Sequence, residues 1–200
     1  MDQCTDNQIA GIILAAGASS RMGQPKVLLE WQGETLIHRV ARTALSARLG
    51  PVIVVAGALS PQIEQALPHL DIQLVANPNW SAGQSTSVRA GIQALPQDTQ
   101  AVVFLLGDQP FVTVELIQKL IETYQKTRPE ILAPFVNQKR INPVIFDRSV
   151  FPHLLELQGD AGARSLFAQF PPAVMPWNDE RAGFDIDTPE DYEKLIHTAE

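Results

Sequence analysis

Cysteine is almost absent from this 200-residue chain: Cys4 is its only thiol and stands ahead of the first regularly patterned segment. That excludes an internal disulfide framework and a thiol metal cluster, and it fits a reducing, cytoplasmic setting. Long apolar runs are missing too. Nothing approaches the ~18 apolar residues of a membrane span, and no charged start leads into a short apolar stretch, so neither a membrane anchor nor a secretion signal is expected. Positive charge is scarce: 15 Lys+Arg against 22 Asp+Glu leave a net charge of −7. A polynucleotide or an anionic membrane needs a broad positive field, so neither is an expected partner and any basic site must be local. His38, His69, His153 and His197 lack zinc-ligand spacing and read as surface or helix residues. Trp31, Trp80 and Trp177 are too scattered for a stacking platform, and no Ser/His/Asp or Cys/His set suggests nucleophilic catalysis.

What the chain does have is rhythm. IAGIILAA from Ile9, PVIVVA from Pro51, IQLVA from Ile72 and AVVFLL from Ala101 are short and nearly all apolar. Strands buried on both faces of a parallel sheet read this way. Between them, Leu36, Ile37, Val40, Ala41, Ala44 and Leu45 recur at the spacing of an amphipathic helix over 34–47, and 61–67, 85–95 and 114–124 repeat that alternation. Alternating strand and helix predicts a doubly wound α/β fold with a mostly parallel central sheet. Ligands collect at the carboxyl ends of such strands, so the loops after Ala15, Ala76 and Leu106 should face one cleft. Beyond Arg128, ILAPF and NPVIF read as short strands of a mixed extension, and LLELQGDAGARSLFAQF as two short helices broken at 159–162. With no linker, repeat or low-complexity tract, one domain over 1–200 is expected: a nucleotide-binding half at about 8–127 and an acceptor-binding, metal-completing part at about 128–200.

The loop LAAGASSRMGQPK, residues 14–26, follows the first strand. It is not a P-loop, because the position that should hold the second glycine is Met22, and not a dinucleotide fingerprint, because the second glycine of G-x-G-x-x-G is replaced by Ser19. The physical logic of both survives. Ala15, Ala16, Gly17 and Ala18 let the backbone approach an anion, while Arg21 offers a planar fork and Lys26 a mobile point charge for a triphosphate. The bland alternative is a small-residue turn with two solvated cations. In NPNWSAGQSTSVRAG, residues 77–91, Gly83 is a flexible helix entry with Ser85, Thr86 or Ser87 available as caps; free N–H groups there suit an anion or a base edge. Asp108 in LLGDQPFVT sits just past a buried strand, where either a hard cation such as Mg²⁺ or a capping role accounts for it. Asp185 and Asp187 in FDIDTPEDYEKL share one face of an extended piece, and like charges held close call for a cation. Thr188 and Asp191 then read as a helix cap.

LAAGASSRMGQPK closely resembles the signature loop of the sugar-nucleotide-type nucleotidyltransferases, which bind a nucleoside triphosphate on a Rossmann-like three-layer fold. Four further blocks resemble, in order, those of the molybdenum cofactor cytidylyltransferases: NPNWSAGQSTS, GDQP, NPVIF and QGDAGAR. The resemblance implies a Mg²⁺-dependent transfer of CMP from CTP to molybdopterin cofactor with release of pyrophosphate, Arg21, Lys26 and Asp108 being catalytic. It assigns Leu14, Ala15, Ala16, Gly17, Ser19, Arg21, Lys26, Asn77, Gly83, Ser87 and Asp108 to the nucleotide. It makes Asp108 a metal ligand, with Asp185 or Asp187 as the second. Asn142, Asp160 and Arg164 fall on the acceptor side, although an Asp160–Arg164 ion pair shaping a loop is the plainer reading. Isoleucine at 141 departs from the glycine common before the Asn/His-Pro pair, which puts the fit of that turn in question. LAAG rather than LAGG favours a pyrimidine nucleotide, and Val27 after Lys26 speaks against the isoprenoid relatives. The alternatives are a cytidylyl- or uridylyltransferase acting on a sugar or polyol phosphate, and a noncatalytic accessory protein delivering cofactor to a molybdenum hydroxylase apoenzyme.

Overall fold

The computed structural model describes residues 8–17 and 22–198, so Cys4, Ala18, Ser19 and Arg21 lie outside the described residues. In chain order the elements are β1 (Ile9–Ala15), β2 (Glu30–Trp31), β3 (Glu34–Thr35), α1 (Leu36–Ser46), β4 (Val52–Ala56), α2 (Ser60–Gln65), β5 (Gln73–Ala76), α3 (Gln84–Gln93), β6 (Ala101–Leu106), α4 (Val114–Thr127), β7 (Ile131–Val136), β8 (Lys139–Arg140), β9 (Val144–Asp147), α5 (Phe151–Leu155), β10 (Ala173–Pro176) and α6 (Pro189–His197). The main sheet runs β10-β7-β9-β6-β1-β4-β5, with β8 beside β7. β6, β1, β4 and β5 are mutually parallel. β9 enters antiparallel between β6 and β7, and β10 closes the edge parallel to β7. The fold is the mostly parallel, Rossmann-like α/β architecture expected, with its mixed extension.

The period of two explains why the strands are apolar throughout. Ile13 of β1, Val54 of β4 and Val103 of β6 face one layer, where they meet Ile37 and Val40 of α1 and Leu116 and Leu120 of α4. Their neighbours Ile12, Ile53, Val55 and Phe104 face the other, against Val88 and Ile92 of α3 and Leu154 of α5. Both faces are dry, so truncating Ile12 to alanine costs roughly 2–5 kcal/mol. A smaller cluster matters more for the site. Met22, Leu29, Trp31, Leu36, Ile186 and Leu195 pack together and fasten the 184–187 segment and α6 to the end of the loop after β1.

Helix starts follow local chemistry. Thr35 Oγ1 accepts from His38 N at 3.3 Å, Thr113 Oγ1 accepts from Leu116 N at 3.2 Å, and Thr188 with Asp191 forms the anticipated capping box. The α3 entry differs from expectation. Its N-cap is Gly83 and no side chain caps it, because the Ser85 N–H donates instead to Gly159 O at 3.1 Å and the Thr86 hydroxyl donates to Gly83 O at 2.8 Å. Two small features were also not anticipated. β2 and β3 form a hairpin turned by Gln32 and Gly33, both at positive φ, and β10 is an edge strand preceded by Pro171 and Pro172 and ending on Pro176, which mask its strand character. Among the described residues no helix is long and apolar enough to cross a membrane.

Candidate functional site

β1, β5 and β6 end on the same side of the sheet, and the loops leaving them enclose a cleft of about 430 Å³. Leu14, Ala15, Ala16 and Gly17 line one part of it; Trp80, Ser81, Gly83 and Ser87 form a second wall; Lys26, Leu106 and Asp108 form a third, and Asp160 joins the lining. A second hollow of about 350 Å³ adjoins it, sharing Ala15, Ala16, Gly17 and Trp80 and adding Gly57 and Pro25.

The α3 wall is built by shape and by the hydrogen bonds of Asn77, while the buried Ser85 Oγ at its start has no hydrogen-bond partner among the described residues. Gly83 has φ +112°, and a Cβ there would lie 2.2 Å from Gly159 O, so the 158–162 loop can cross the start of α3 only over glycine. Asn77 is 4% exposed and fully engaged: Nδ2 donates to Thr86 Oγ1 at 2.8 Å and Ser87 Oγ at 3.0 Å, while Oδ1 accepts from Asn79 N at 3.0 Å. The structure thus makes Asn77 a brace that sets Ser87 in the cleft wall, rather than itself a lining residue. Trp80 packs on Gly57, where a Cβ would meet its Cγ at 2.8 Å.

The opposite wall is electrostatic. The Lys26 ammonium forms ion pairs with Asp108 and, at 2.9 Å, with Asp187 Oδ1. Burial pulls the Lys26 pKa down, but Asp108 and then Asp187 outweigh it, so the side chain is held protonated above its ordinary range. The acids arrive from distant segments joined by Ile186 N donating to Asp108 O at 3.2 Å and by Gln109 Nε2 donating to Asp185 Oδ1 at 2.6 Å. Asp185 is open to solvent on one side, yet partial burial of its carboxyl and then the Asp108 charge push it above the usual range. Ile186, between the two aspartates, is completely buried, while Asp185 and Asp187 keep access to solvent.

The donor set here suits a hard cation. Among the described residues no cluster of carboxylates, imidazoles or thiols is complete enough to hold a metal unaided. Mg²⁺ is commonly held by one or two carboxylates with substrate phosphates supplying the rest, and Asp108 with an aspartate of the 185–187 pair offers that partial set of oxygens.

The acceptor-side residues divide. Asp160 lines the cleft, whereas Asn142 is 7% exposed and lines neither hollow. The Asp160–Arg164 ion pair does not form among the described residues; the charge of Arg164 is felt instead at Asp185. The isoleucine at 141 has a local answer: it packs on Gly183, where a Cβ would lie 2.7 Å from Ile141 Cγ2. Trp80 and Gln109 were not assigned from sequence, although both stand inside the motif blocks. Ser19 and Arg21 fall outside the described residues.

A lysine paired with a carboxylate on one wall of a glycine-lined cleft at the strand ends agrees with the family comparison. The model of the MobA-like NTP transferase domain matches residues 11–174. The chain belongs to that family. Among MobA-like relatives, the nicotine blue oxidoreductase of Paenarthrobacter nicotinovorans is 32% identical over 204 residues, covering 94% of this chain and 96% of that protein. The purine catabolism protein PucB of Bacillus subtilis (strain 168) is 31% identical, covering 94% and 95%. Among solved structures, Rv0371c of Mycobacterium tuberculosis H37Rv superimposes with a TM-score of 0.84 at 27% identity, covering 97% of this chain and 100% of that one. The same protein in complex with manganese gives a TM-score of 0.80 at 26% identity, covering 96% and 100%. That structural neighbour was solved with manganese bound.

Proposed function

We propose that this MobA-like protein transfers CMP from CTP to the terminal phosphate of molybdopterin cofactor and releases pyrophosphate. The observation that carries the reading is the meeting of Lys26 and Asp108, which line the cleft, with Asp187 behind them, a cation and its carboxylates brought together across 161 residues of chain for Lys26 and Asp187. A phosphate monoester is already nucleophilic, so in-line attack on the α-phosphorus needs placement and charge stabilisation rather than a covalent intermediate. The backbone of Ala15 to Gly17 and the cationic side chain of Arg21 would cradle the triphosphate, and Lys26 would leave its aspartates for the phosphate oxygens. Asp108, with Asp185 or Asp187, would hold Mg²⁺, which when bound supplies charge neutralisation at the phosphates. Gly83, Ser87 and Asn77 would shape the nucleoside side, with Asn77 acting through Ser87. Asp160 and Arg164 would face the acceptor, and Asn142 would support that side from within.

The same reading makes 1–200 one domain, with about 8–127 serving the nucleotide and about 128–200 serving the acceptor and completing the metal site. Its site would lie in the cytoplasm, and its product would pass to a molybdenum hydroxylase apoenzyme. The test is to mix the protein with molybdopterin cofactor, Mg²⁺ and each of the four nucleoside triphosphates in turn, following pyrophosphate. Release with CTP is expected, and release with GTP or UTP alone would reassign the nucleotide.

One observation supports a second reading. The two named relatives are an oxidoreductase and a purine catabolism protein, names that nucleotidyl transfer does not explain. A noncatalytic accessory protein for a molybdenum hydroxylase would bind the cofactor and release no pyrophosphate with any nucleotide.

A further inference from the structure

Gln109 lies between the two arms of the acidic wall. It is 2% exposed, beside Asp108 in sequence, and its Nε2 donates to Asp185 Oδ1 at 2.6 Å. Its other end is not satisfied: Oε1 is buried with no hydrogen-bond partner among the described residues. Leaving an amide oxygen in that condition costs free energy, whereas an apolar side chain of the same length would bring no such penalty. A role confined to packing therefore does not explain glutamine at this position. The bond it does make fixes one oxygen of a carboxylate that is otherwise open to solvent, and leaves the other oxygen without a protein partner among the described residues. The backbone reinforces the link, since Ile186 N donates to Asp108 O at 3.2 Å and so ties the segment carrying Asp185 to the loop carrying Gln109.

We propose that Gln109 is a positioning residue of the cation site, and that its amide N–H orients Asp185 so that this carboxylate, with Asp108, receives the divalent ion. The inference rests on the metal-dependent reading above and deepens it by naming Asp185 as the partner of Asp108, since Gln109 fixes one of its oxygens and leaves the other open. Outer partners that orient metal-binding carboxylates characteristically change metal affinity about 10- to 100-fold when removed.

The test compares Gln109→Met, which keeps length and removes both polar ends, with Asp185→Asn and the double variant. Mn²⁺ binding is read by water proton relaxation, with Mn²⁺ alone and with Mn²⁺ plus tripolyphosphate, and unfolding is followed in parallel. Expected is about a tenfold loss of Mn²⁺ affinity in each single variant, no further loss in the double variant, and thermal stability of Gln109→Met equal to or above that of the wild type. Gln109→Leu gives the same readout should the methionine variant fail to fold. Unchanged Mn²⁺ affinity in Gln109→Met, unchanged affinity in Asp185→Asn, or losses that multiply in the double variant would each overturn the assignment. CTP turnover does not enter these measurements, so failure of the cytidylyl-transfer reading and failure of this one are told apart.

Discussion

The two long walls of the cleft are made on opposite principles. Along α3 the buried polar side chain of Asn77 spends its amide on Thr86, Ser87 and Asn79, and Gly83 is fixed by backbone contact with Gly159. Across from it, Lys26 is held between Asp108 and Asp187, the Asp185 carboxyl is pushed above its ordinary range, and Gln109 keeps a buried oxygen without a partner among the described residues. One wall is uncharged and defines shape, although Ser85 Oγ on it is also buried without a partner among the described residues. The other holds charge arranged for something to be added, a departure from local satisfaction that is characteristic of functional sites.

That contrast can be broken by substitution, since variants on the charged wall should lose activity and keep the fold, while variants on the shaped wall should lose the fold. The largest effect is expected for Lys26→Ala: pyrophosphate release falls about a hundredfold to a thousandfold, as when one preorganised charge is removed from a transferring phosphoryl group, with little change in melting temperature. Gly83→Ala should be next. A side chain at φ +112° that meets the Gly159 backbone costs roughly 3 kcal/mol in denaturant unfolding, and wild-type stability in that variant would mean that the loop crossing is not fixed as described. Asn77→Ala should cost about 2 kcal/mol by the same measurement, from the hydrogen bonds stranded around it. Lys26→Met sharpens the charged side: with the ammonium gone from its acids, Mn²⁺ should bind the nucleotide-free protein about tenfold more tightly, a coupling of ordinary size. Weaker or equal binding would show that the ion pair does not compete with the metal.

The smallest expected effect lies away from the cleft. Glu34 is partly buried, yet hydrogen bonds from Arg42 and His38 lower its pKa from 4.5 to about 2. A folded-state value below the unfolded one contributes stability that is complete above about 4.5 and fades as pH falls toward 2. Glu34→Gln should therefore lower the unfolding free energy slightly at neutral pH, by less than about 1 kcal/mol given the exposure of Arg42, a difference that shrinks toward zero as pH falls through about 2. A pH-independent difference would contradict the assignment.

Much of this was legible in the sequence, for physical reasons that differ from place to place. The strands at β1, β4 and β6 announce themselves because burial on both faces leaves no polar position in them. Asp108, Asp185 and Asp187 could be picked out because carboxylates at the end of a buried strand, or two apart on an extended segment, are costly without a partner. The partner itself was not legible. Lys26 reads as a loop cation beside a glycine, and its engagement with Asp187 depends on the packing of Met22, Leu36 and Ile186, which no local pattern encodes. The hydroxyls of 85–87 looked like helix caps, but the loop at Gly159 reaches the α3 entry first. Gln109 was hidden for the same reason: its meaning lies in a contact with Asp185, 76 residues away.

The most direct measurement is single-turnover pyrophosphate release by the wild type and by Asp108→Ala, each mixed with CTP, Mg²⁺ and molybdopterin cofactor, with the fold of the variant verified by its melting curve. Rapid release by the wild type and none above background from the folded variant is the expected result. Equal release from both would show that the Lys26–Asp108 corner takes no part in the chemistry.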